Sequence, residues 1–211
     1  FSEIVTLASA YKKDGRKLNP TDVDIIKNGS LVFDQNEILW VGPESKFPEE
    51  YSGYEYVDVE GKTCTPEIVD AHTHLIFGGD RSQEYIMRLN GASYEEIAAC
   101  GGGIVFTANA TKALSRIDLF RLGQQRVRQI HSYGIGTIEI KTGYGLTYDK
   151  ELELAHVIQD LKKFFSPEIQ IKSTFMAAHA IPPEFKSSYE YMQEVVLPLL
   201  DKLSEENLVD A

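Results

Sequence analysis

The sequence predicts an α/β protein, and three observations support this fold class. Short β-rich runs fill residues 1–62, strand and helix patterns alternate over residues 63–211, and turn residues separate the elements. Alternating strands and helices are typical of βαβ units around a parallel sheet. A closed eight-unit barrel needs about 250 residues. The second region is therefore either a small open sheet or part of a barrel.

The composition is that of an ordinary globular chain, with 43% hydrophobic and 25% charged residues. A net charge of −11 disfavours nucleic-acid binding. No run approaches the ~18 apolar residues of a membrane span. Cys64 and Cys100 lack the spacing of a disulfide framework or a metal site. We therefore expect a cytoplasmic protein with reduced thiols, without nucleic-acid or membrane partners.

Residues 1–62 are predicted to form a portion of a small β-sandwich. Turn sequences such as Asn28-Gly29 separate the β-rich runs and favour a meander within one sheet. The expected strands cover residues 2–9, 22–27, 30–34, 37–42 and 55–61.

Residues 63–211 are predicted to contain alternating elements, beginning with a buried strand. Ser93 and Glu96 have the spacing of a capping box, and Pro198 is expected to kink or split the last helix. The expected strands cover 67–74, 135–142 and 169–180, and the expected helices cover 93–100, 115–133, 149–165 and 184–203.

His72 and His74 stand two residues apart at the end of the first of these strands. Side chains alternate along a strand, so both imidazoles share a face with Asp70 and can converge on one cation. Gly78 and Gly79 follow, which lets the chain turn sharply. The residues alone leave two readings open: a pair of metal ligands, or two half-buried histidines with structural roles.

The next two strands also end in polar residues. Glu139 and Lys141 share a face and are expected to form a buried ion pair, although a catalytic lysine is an alternative. Tyr144 lies between Gly143 and Gly145, in a loop that allows close backbone approach. A functional role and a structural role, as an aromatic residue that covers the core, are equally possible for it. His179 is expected at the end of the third strand, sharing a face with Phe175 and Ala177.

Two further groups of residues complete the candidate list. Arg81 is suited to bind a carboxylate, although an ion pair with Asp80 or Glu84 is also possible. His131 and His156 fall in predicted helices and are expected to be surface or packing residues.

Several motifs then match a known family. "TPEIVDAHTH" resembles the first barrel strand of the metal-dependent amidohydrolase superfamily. "HTHLIFGGDRSQEYIMRLNGASYEEIAACGGGI", "IEIKTGYGLTYDKELEL" and "TFMAAHAIPPEF", in this order, resemble the imidazolonepropionase family. The resemblance covers most of residues 23–211. Glu67 replaces the usual glycine of the superfamily, and "VFTA" follows "GGGI" where the family has small hydroxyl residues.

The resemblance implies a fold and an activity. The fold is a partial (β/α)8 TIM-type barrel, containing the first three or so βα units over 63–211, preceded by part of a β-sandwich over 1–62. The reaction is hydrolysis of the ring amide of 4-imidazolone-5-propanoate to N-formimidoyl-glutamate in histidine degradation, with one Zn or Fe ion activating water. The small-molecule substrate and a homodimer of the full-length protein are the implied partners.

The resemblance also assigns roles to five residues. His72 and His74 would be metal ligands, and Arg81 would bind the substrate carboxylate. Tyr144 and His179 would contact the substrate, with His179 polarising the carbonyl or holding the oxyanion. The remaining ligands come from later strands in the family. The chain is therefore expected to be an N-terminal half that is inactive alone.

Two alternatives remain. One is another cyclic-amide hydrolase or a deaminase of the same superfamily, which would not need the carboxylate-binding Arg81. The other is a non-catalytic half-barrel that pairs with another chain through its exposed sheet edges.

Overall fold

The computed structural model describes residues 1–35, 37–59 and 61–211. They fall into two compact units, Phe1–Pro66 and Glu67–Ala211.

The described residues of the first unit form two small sheets, one short α-helix and three 3₁₀ turns. In one sheet the central strand pairs antiparallel with one neighbour and parallel with the other, and the second sheet is an antiparallel pair. The strands of the first sheet are β1 (Glu3–Val5), β2 (Ile25–Lys27) and β5 (Thr63–Cys64), and those of the second are β3 (Gly29–Phe33) and β4 (Ile38–Pro43). Helix α1 covers Ala8–Lys12.

The single-sheet meander predicted for this region is wrong, because β1 pairs parallel with β5 and the strands divide between two sheets. The strand expected over 2–9 ends at Val5, since Leu7 adopts a left-handed conformation with φ of 55° and α1 follows. No strand covers the described part of 55–61, where Tyr56 and Val57 are exposed. Glu60 lies outside the described residues.

The second unit is built on a parallel sheet of three strands in sequence order, with helices between them. The alternation predicted from the sequence is therefore confirmed. The strands are β6 (Ile68–Thr73), β7 (Ile135–Lys141) and β8 (Gln170–Thr174). The helices are α2 (Ser82–Leu89), α3 (Tyr94–Ala99), α4 (Gly103–Lys112), α5 (Arg116–His131), α6 (Tyr148–Phe165), α7 (Ser188–Tyr191) and α8 (Leu197–Glu205).

One face of this sheet packs against α5 and α6 and forms the main core. Ile138, Ile140 and Ile171 are fully or almost fully buried there, together with Leu119 and Leu161. Burying one such side chain stabilises a fold by about 1.5–3 kcal/mol. The opposite face carries the polar residues of β7 and β8, so the apolar and polar sides of the sheet are separated as the sequence alternation predicts.

The helix starts follow their capping signals. The backbone N–H of Glu96 donates to Ser93 Oγ at 3.2 Å, and the N–H of Ser93 donates to Glu96 Oε2 at 2.7 Å. This reciprocal pair is the predicted capping box of α3. Ser115 caps α5 by accepting a hydrogen bond from the N–H of Asp118.

Two expectations for the strands need correction. Strand β6 was expected to be buried, but Ile68 and Val69 are more than half exposed, because β6 is an edge strand that bonds only to β7. Strand β8 was expected to extend to residue 180, but it ends at Thr174. His179 lies instead in a 3₁₀ turn over Ala177–His179, so it does not share a strand face with Phe175.

The C-terminal elements continue the same architecture. A π-helical segment, Met192–Val196, joins α7 to α8, and this wider turn precedes Pro198. The predicted interruption near Pro198 is therefore a change of helix type. Beyond α8, the N–H groups of Asp210 and Ala211 donate to Ser173 O at 2.8 and 3.2 Å, and Ala211 O accepts from the N–H of Phe175 at 2.8 Å. The end of the chain thus runs parallel beside β8.

Candidate active site

Four predicted side chains meet at the carboxyl ends of the three parallel strands. The ring centroid of His74 lies 5.8 Å from that of His72, 5.1 Å from that of Tyr144 and 5.4 Å from that of His179. The rings of Tyr144 and His179 are 6.3 Å apart. Because the carboxyl ends of parallel strands share one edge, residues distant in sequence converge there.

His74 directly follows β6 and has the environment of a potential ligand. Its Nδ1 is buried and has no hydrogen-bond partner among the described residues. Burial lowers the pKa of His74, and the nearby His179 and His72 lower it further, while a hydrogen bond with the backbone of Thr142 opposes them. The imidazole is therefore held towards the neutral form, which is the form that binds metal ions.

His72 is exposed and lies beside His74, although the pairing of β6 with β7 is irregular between Asp70 and Thr73. The two histidines fit a metal site, because an orphaned buried nitrogen and a second imidazole lie side by side. Catalytic zinc sites use three protein ligands, and the described residues contain no group of three or more His, Cys, Asp or Glu side chains that could hold a metal ion. The two histidines are fewer than the three protein ligands of such a site.

His179 and Tyr144 lie close to this pair on neighbouring loops. The Nδ1 of His179 lies 2.7 Å from Met176 O. A carbonyl oxygen only accepts, so Nδ1 carries the proton and Nε2 is left free for a ligand. Gly143 allows this approach, since a Cβ there would lie 2.6 Å from His179 Cε1.

Arg81 is exposed and paired with one carboxylate. Its Nη2 lies 2.6 Å from Glu84 Oε2, and its Nε donates to the same oxygen at 2.7 Å. Glu84 Oε1 accepts from the N–H of Gly103 at 2.8 Å. The pair raises the pKa of Arg81 and lowers that of Glu84. Of the two ion pairs that the sequence allowed, the one with Glu84 forms, whereas Asp80 accepts from Ser82.

Glu139 and Lys141 form the ion pair that was predicted. The hydroxyl of Thr174 donates to the same carboxylate. The hydrogen bonds from Lys141 and Thr174 lower the pKa of Glu139, and the charge of His72 adds to this effect. The Thr174 contact therefore links the ion pair of β7 to β8.

Two residues that hold the site loops were missed from the sequence. Arg126 of α5 donates from Nη1 to Leu75 O and Phe77 O, both at 2.8 Å, and its guanidinium lies 3.7 Å from the centroid of the Phe77 ring. Glu151 of α6 accepts hydrogen bonds from the loop of Tyr144. Both charged residues fall on apolar faces of their helices, and this pattern was the available signal.

Other candidates lie elsewhere, as expected. His131 Nδ1 lies 3.0 Å from Ile135 O, and His156 Nε2 lies 3.6 Å from Glu206 Oε2. Cys64 and Cys100 are free thiols. In the part of the chain that the structure describes, no helix has the length and apolar character needed to cross a bilayer.

Comparison with known proteins identifies imidazolonepropionases among the relatives of this chain. The chain is 41% identical over 208 residues to an imidazolonepropionase of Bdellovibrio bacteriovorus, covering 96% of this chain and 48% of that protein. It is 43% identical over 188 residues to one of Shewanella halifaxensis, covering 88% of this chain and 46% of the relative. An imidazolonepropionase of Roseobacter denitrificans is 39% identical over 191 residues, with 90% and 48% covered. No protein-family model matches the chain.

The chain is homologous to imidazolonepropionases. This confirms the resemblance predicted from the motifs around His72, Tyr144 and His179. The chain spans about half the length of the curated relatives that it matches. This coverage agrees with the expectation of an N-terminal half.

Proposed function

We propose that the protein containing this chain is a metal-dependent hydrolase that opens the ring amide of 4-imidazolone-5-propanoate to give N-formimidoyl-glutamate. The observation that carries the proposal is the convergence of His72, His74, Tyr144 and His179 at one edge of the parallel sheet. Sequence identity of about 40% to imidazolonepropionases supports the same reaction.

In this proposal each site residue has a distinct task. His72 and His74 would hold a Zn or Fe ion, which when bound would lower the pKa of a water ligand and supply a nucleophile. The Nδ1–H of His179 is fixed on Met176 O, so in its imidazolium form His179 would donate from Nε2–H to the substrate carbonyl and hold charge that develops on its oxygen. Tyr144, whose ring lies near those of His74 and His179, would contact the substrate.

Arg81 is the proposed group for the propionate of the substrate. A guanidinium has five N–H donors, and Glu84 occupies Nε and Nη2 on one side. The other edge of the guanidinium is suited to a second carboxylate. Glu84 therefore orients Arg81, and its negative charge offsets that of the guanidinium in the local field, which would favour a monoanionic side chain over a phosphate.

We infer that residues 63–211 form the first βα units of a (β/α)8 barrel and that residues 1–62 form a β-sandwich portion. The order β6-β7-β8 supports this architecture, since a barrel places consecutive strands side by side. The polar inner face, the helices on the other face and the parallel segment beside β8 support it as well.

The direct test is turnover by the complete gene product and by the 211-residue chain. We expect metal-dependent loss of imidazolonepropanoate with the complete protein and none with the chain alone, because a catalytic metal needs further ligands. His72→Ala should lower kcat/KM by about 10³-fold or more, while His131→Ala, on the surface of α5, is the matched control. An inactive, metal-loaded complete protein would contradict the proposal.

A substrate without the propionate separates the proposed activity from a deaminase or another cyclic-amide hydrolase of the superfamily. We expect such a compound to react at least ~10-fold more slowly, because the carboxylate–guanidinium contact with Arg81 is lost. Arg81→Met should reduce turnover of the full substrate and leave the slow reaction of the truncated one unchanged. Equal turnover of both compounds would favour the deaminase-type alternative.

The remaining expectations are part of the same proposal. They are a cytoplasmic location, a homodimer of the complete protein, and the absence of nucleic-acid and membrane partners. The free thiols Cys64 and Cys100 are compatible with a reducing compartment. Size-exclusion chromatography with light scattering of the complete protein tests the dimer and also the alternative of a non-catalytic assembly module.

A further inference from the structure

Glu151 is a fully buried carboxylate in the first turn of α6. Its side chain accepts hydrogen bonds from three backbone N–H groups of the preceding loop. The donors are Gly143 at 3.0 Å to Oε2, and Gly145 at 2.6 Å and Leu146 at 2.9 Å to Oε1. One carboxylate therefore fixes the backbone on both sides of Tyr144.

Burying a carboxylate is energetically unfavourable, which argues against a purely space-filling role for Glu151. Burial raises the pKa of Glu151, while hydrogen bonds from Leu146, Thr142, Gly145 and Gly143 act in the opposite direction. Within the described residues no Lys, Arg or His forms an ion pair with it. An apolar side chain would avoid the desolvation of a carboxylate, so the compensation comes from the loop itself.

The loop is packed tightly between Glu151 and His179. A Cβ on Gly145 would lie 2.7 Å from the backbone N of Glu151, and a Cβ on Gly143 would lie 2.6 Å from the His179 ring. Gly143 and Leu146 have positive φ values of 121° and 54°. These contacts restrict the backbone of the loop, and Tyr144 lies between the two glycines.

We propose that Glu151 is the positioning residue for Tyr144. It sets the place of the Tyr144 ring against His74 and His179 before any ligand binds, without touching the substrate itself. The consequence for turnover rests on the proposed function, whereas the consequence for the loop does not. Misplacement of a binding group by about 1 Å can lower a rate by about 100-fold. The role of Glu151 can therefore be tested both by the dynamics of the loop and by turnover.

The first experiment uses the 211-residue chain and needs no activity. Glu151→Gln places an amide NH₂ against backbone donors, so we expect amide hydrogen exchange at Gly143, Gly145 and Leu146 to accelerate by roughly tenfold or more. The NMR signal of the ¹³C-labelled Tyr144 ring should shift or broaden, with Tyr51 as internal reference. Glu153→Gln, two residues away on α6 and paired with Lys150, is the matched control and should change neither.

If Glu151→Gln does not fold, Gly145→Ala disturbs the same contact from the loop side and should produce the same shift of the Tyr144 signal. Unchanged loop exchange together with an unmoved Tyr144 signal in a folded Glu151→Gln chain would overturn the proposal.

The second experiment is a double-mutant cycle in the complete enzyme. We expect Glu151→Gln to lower kcat/KM by about 10- to 100-fold, and to add little further loss in a Tyr144→Ala background, because both changes act through the Tyr144 side chain. Additive losses would overturn the positioning role. An enzyme without turnover would contradict the proposed function only, since the exchange experiment still decides the role of Glu151.

Discussion

Two loops carry His74, Arg81 and Tyr144 of the candidate site, and side chains of opposite charge hold these loops. The loop at 74–81 leaves carbonyl oxygens facing α5, and Arg126 donates to two of them. The loop at 142–147 turns its N–H groups towards α6, and Glu151 accepts from three of them. The charge of each of these two side chains thus matches the backbone groups that the loop leaves without partners.

The two arrangements also differ in depth. Glu151 is fully buried, whereas Arg126 is only partly buried and spreads its guanidinium over Phe77. Phe77 in turn lies 6.1 Å from the Tyr144 ring. We therefore expect the loop of Tyr144 to depend more strongly on its charged residue than the loop of His74 does.

The largest effect is expected from Glu151→Leu. Three buried N–H groups would lose their acceptor, and each unsatisfied group costs about 1–3 kcal/mol, so the chain should lose roughly 3 kcal/mol or more of unfolding free energy. Urea denaturation measures the loss. Glu153→Leu on the same helix is the control. If Glu151→Leu lost no more stability than Glu153→Leu, the loop of Tyr144 would not depend on the buried carboxylate.

A smaller effect is expected from Arg126→Met, which retains the aliphatic contact with Phe77 but leaves two carbonyls without their donor. The expected loss is about 1–3 kcal/mol, because solvent can reach part of the freed groups. Arg121→Met, at an exposed position of α5, provides the comparison in the same urea experiment. If Arg126→Met lost more unfolding free energy than Glu151→Leu, the loop of His74 would depend more strongly on its charged residue than the loop of Tyr144 does, contrary to expectation.

The Ser93 cap of α3 supports neither loop, so its removal gives a reference value for the stability lost with an ordinary polar contact. Ser93→Ala removes the cap of α3, and such a change costs about 1 kcal/mol. Thermal unfolding of this variant should show a shift smaller than that of either loop variant. A shift as large as that of Arg126→Met would mean that the loop contacts have no special weight.

The smallest effect concerns pH and lies outside both loops. Burial alone would raise the pKa of Asp210, but the hydrogen bonds from Ser173 and Lys162 lower it overall. Its contribution to stability is therefore present above the unfolded pKa of about 3.9 and is lost as the pH falls through the lower folded value.

Asp210→Asn should accordingly destabilise the chain at pH 6 and lose less further stability than the parent between pH 5 and pH 3. Urea midpoints across this range measure the difference, with Asp201→Asn at an exposed position of α8 as control. Parallel pH profiles of the parent and Asp210→Asn chains would show that Asp210 does not contribute in this way.

Much of the second unit could be predicted from the sequence. Its helices are long enough for apolar periodicity to identify α5 and α6, and the polar ends of β6 and β7 marked His74 and Tyr144 as candidates. His179 was predicted in the site although β8 ends earlier than expected. The site depends on the edge of the sheet, and that edge follows from strand order rather than from exact strand length.

The first unit was harder to predict, for physical reasons. Its strands have two to six residues, which is too short for alternation to define a face, and the turn at Leu7 has no glycine to mark it. Arg126 and Glu151 were missed because a charged residue on an apolar helix face can be recognised, but its loop partner cannot be read from local sequence.

Metal content tests the central claim most directly, namely that His72 and His74 are ligands in a site assembled by these loops. The complete protein, purified with Zn or Fe in the medium, should contain about one metal ion per chain. His72→Ala and His74→Ala should each lose most of it, and His156→Ala, on the surface of α6, should retain it. Full metal content in both ligand variants would contradict the account.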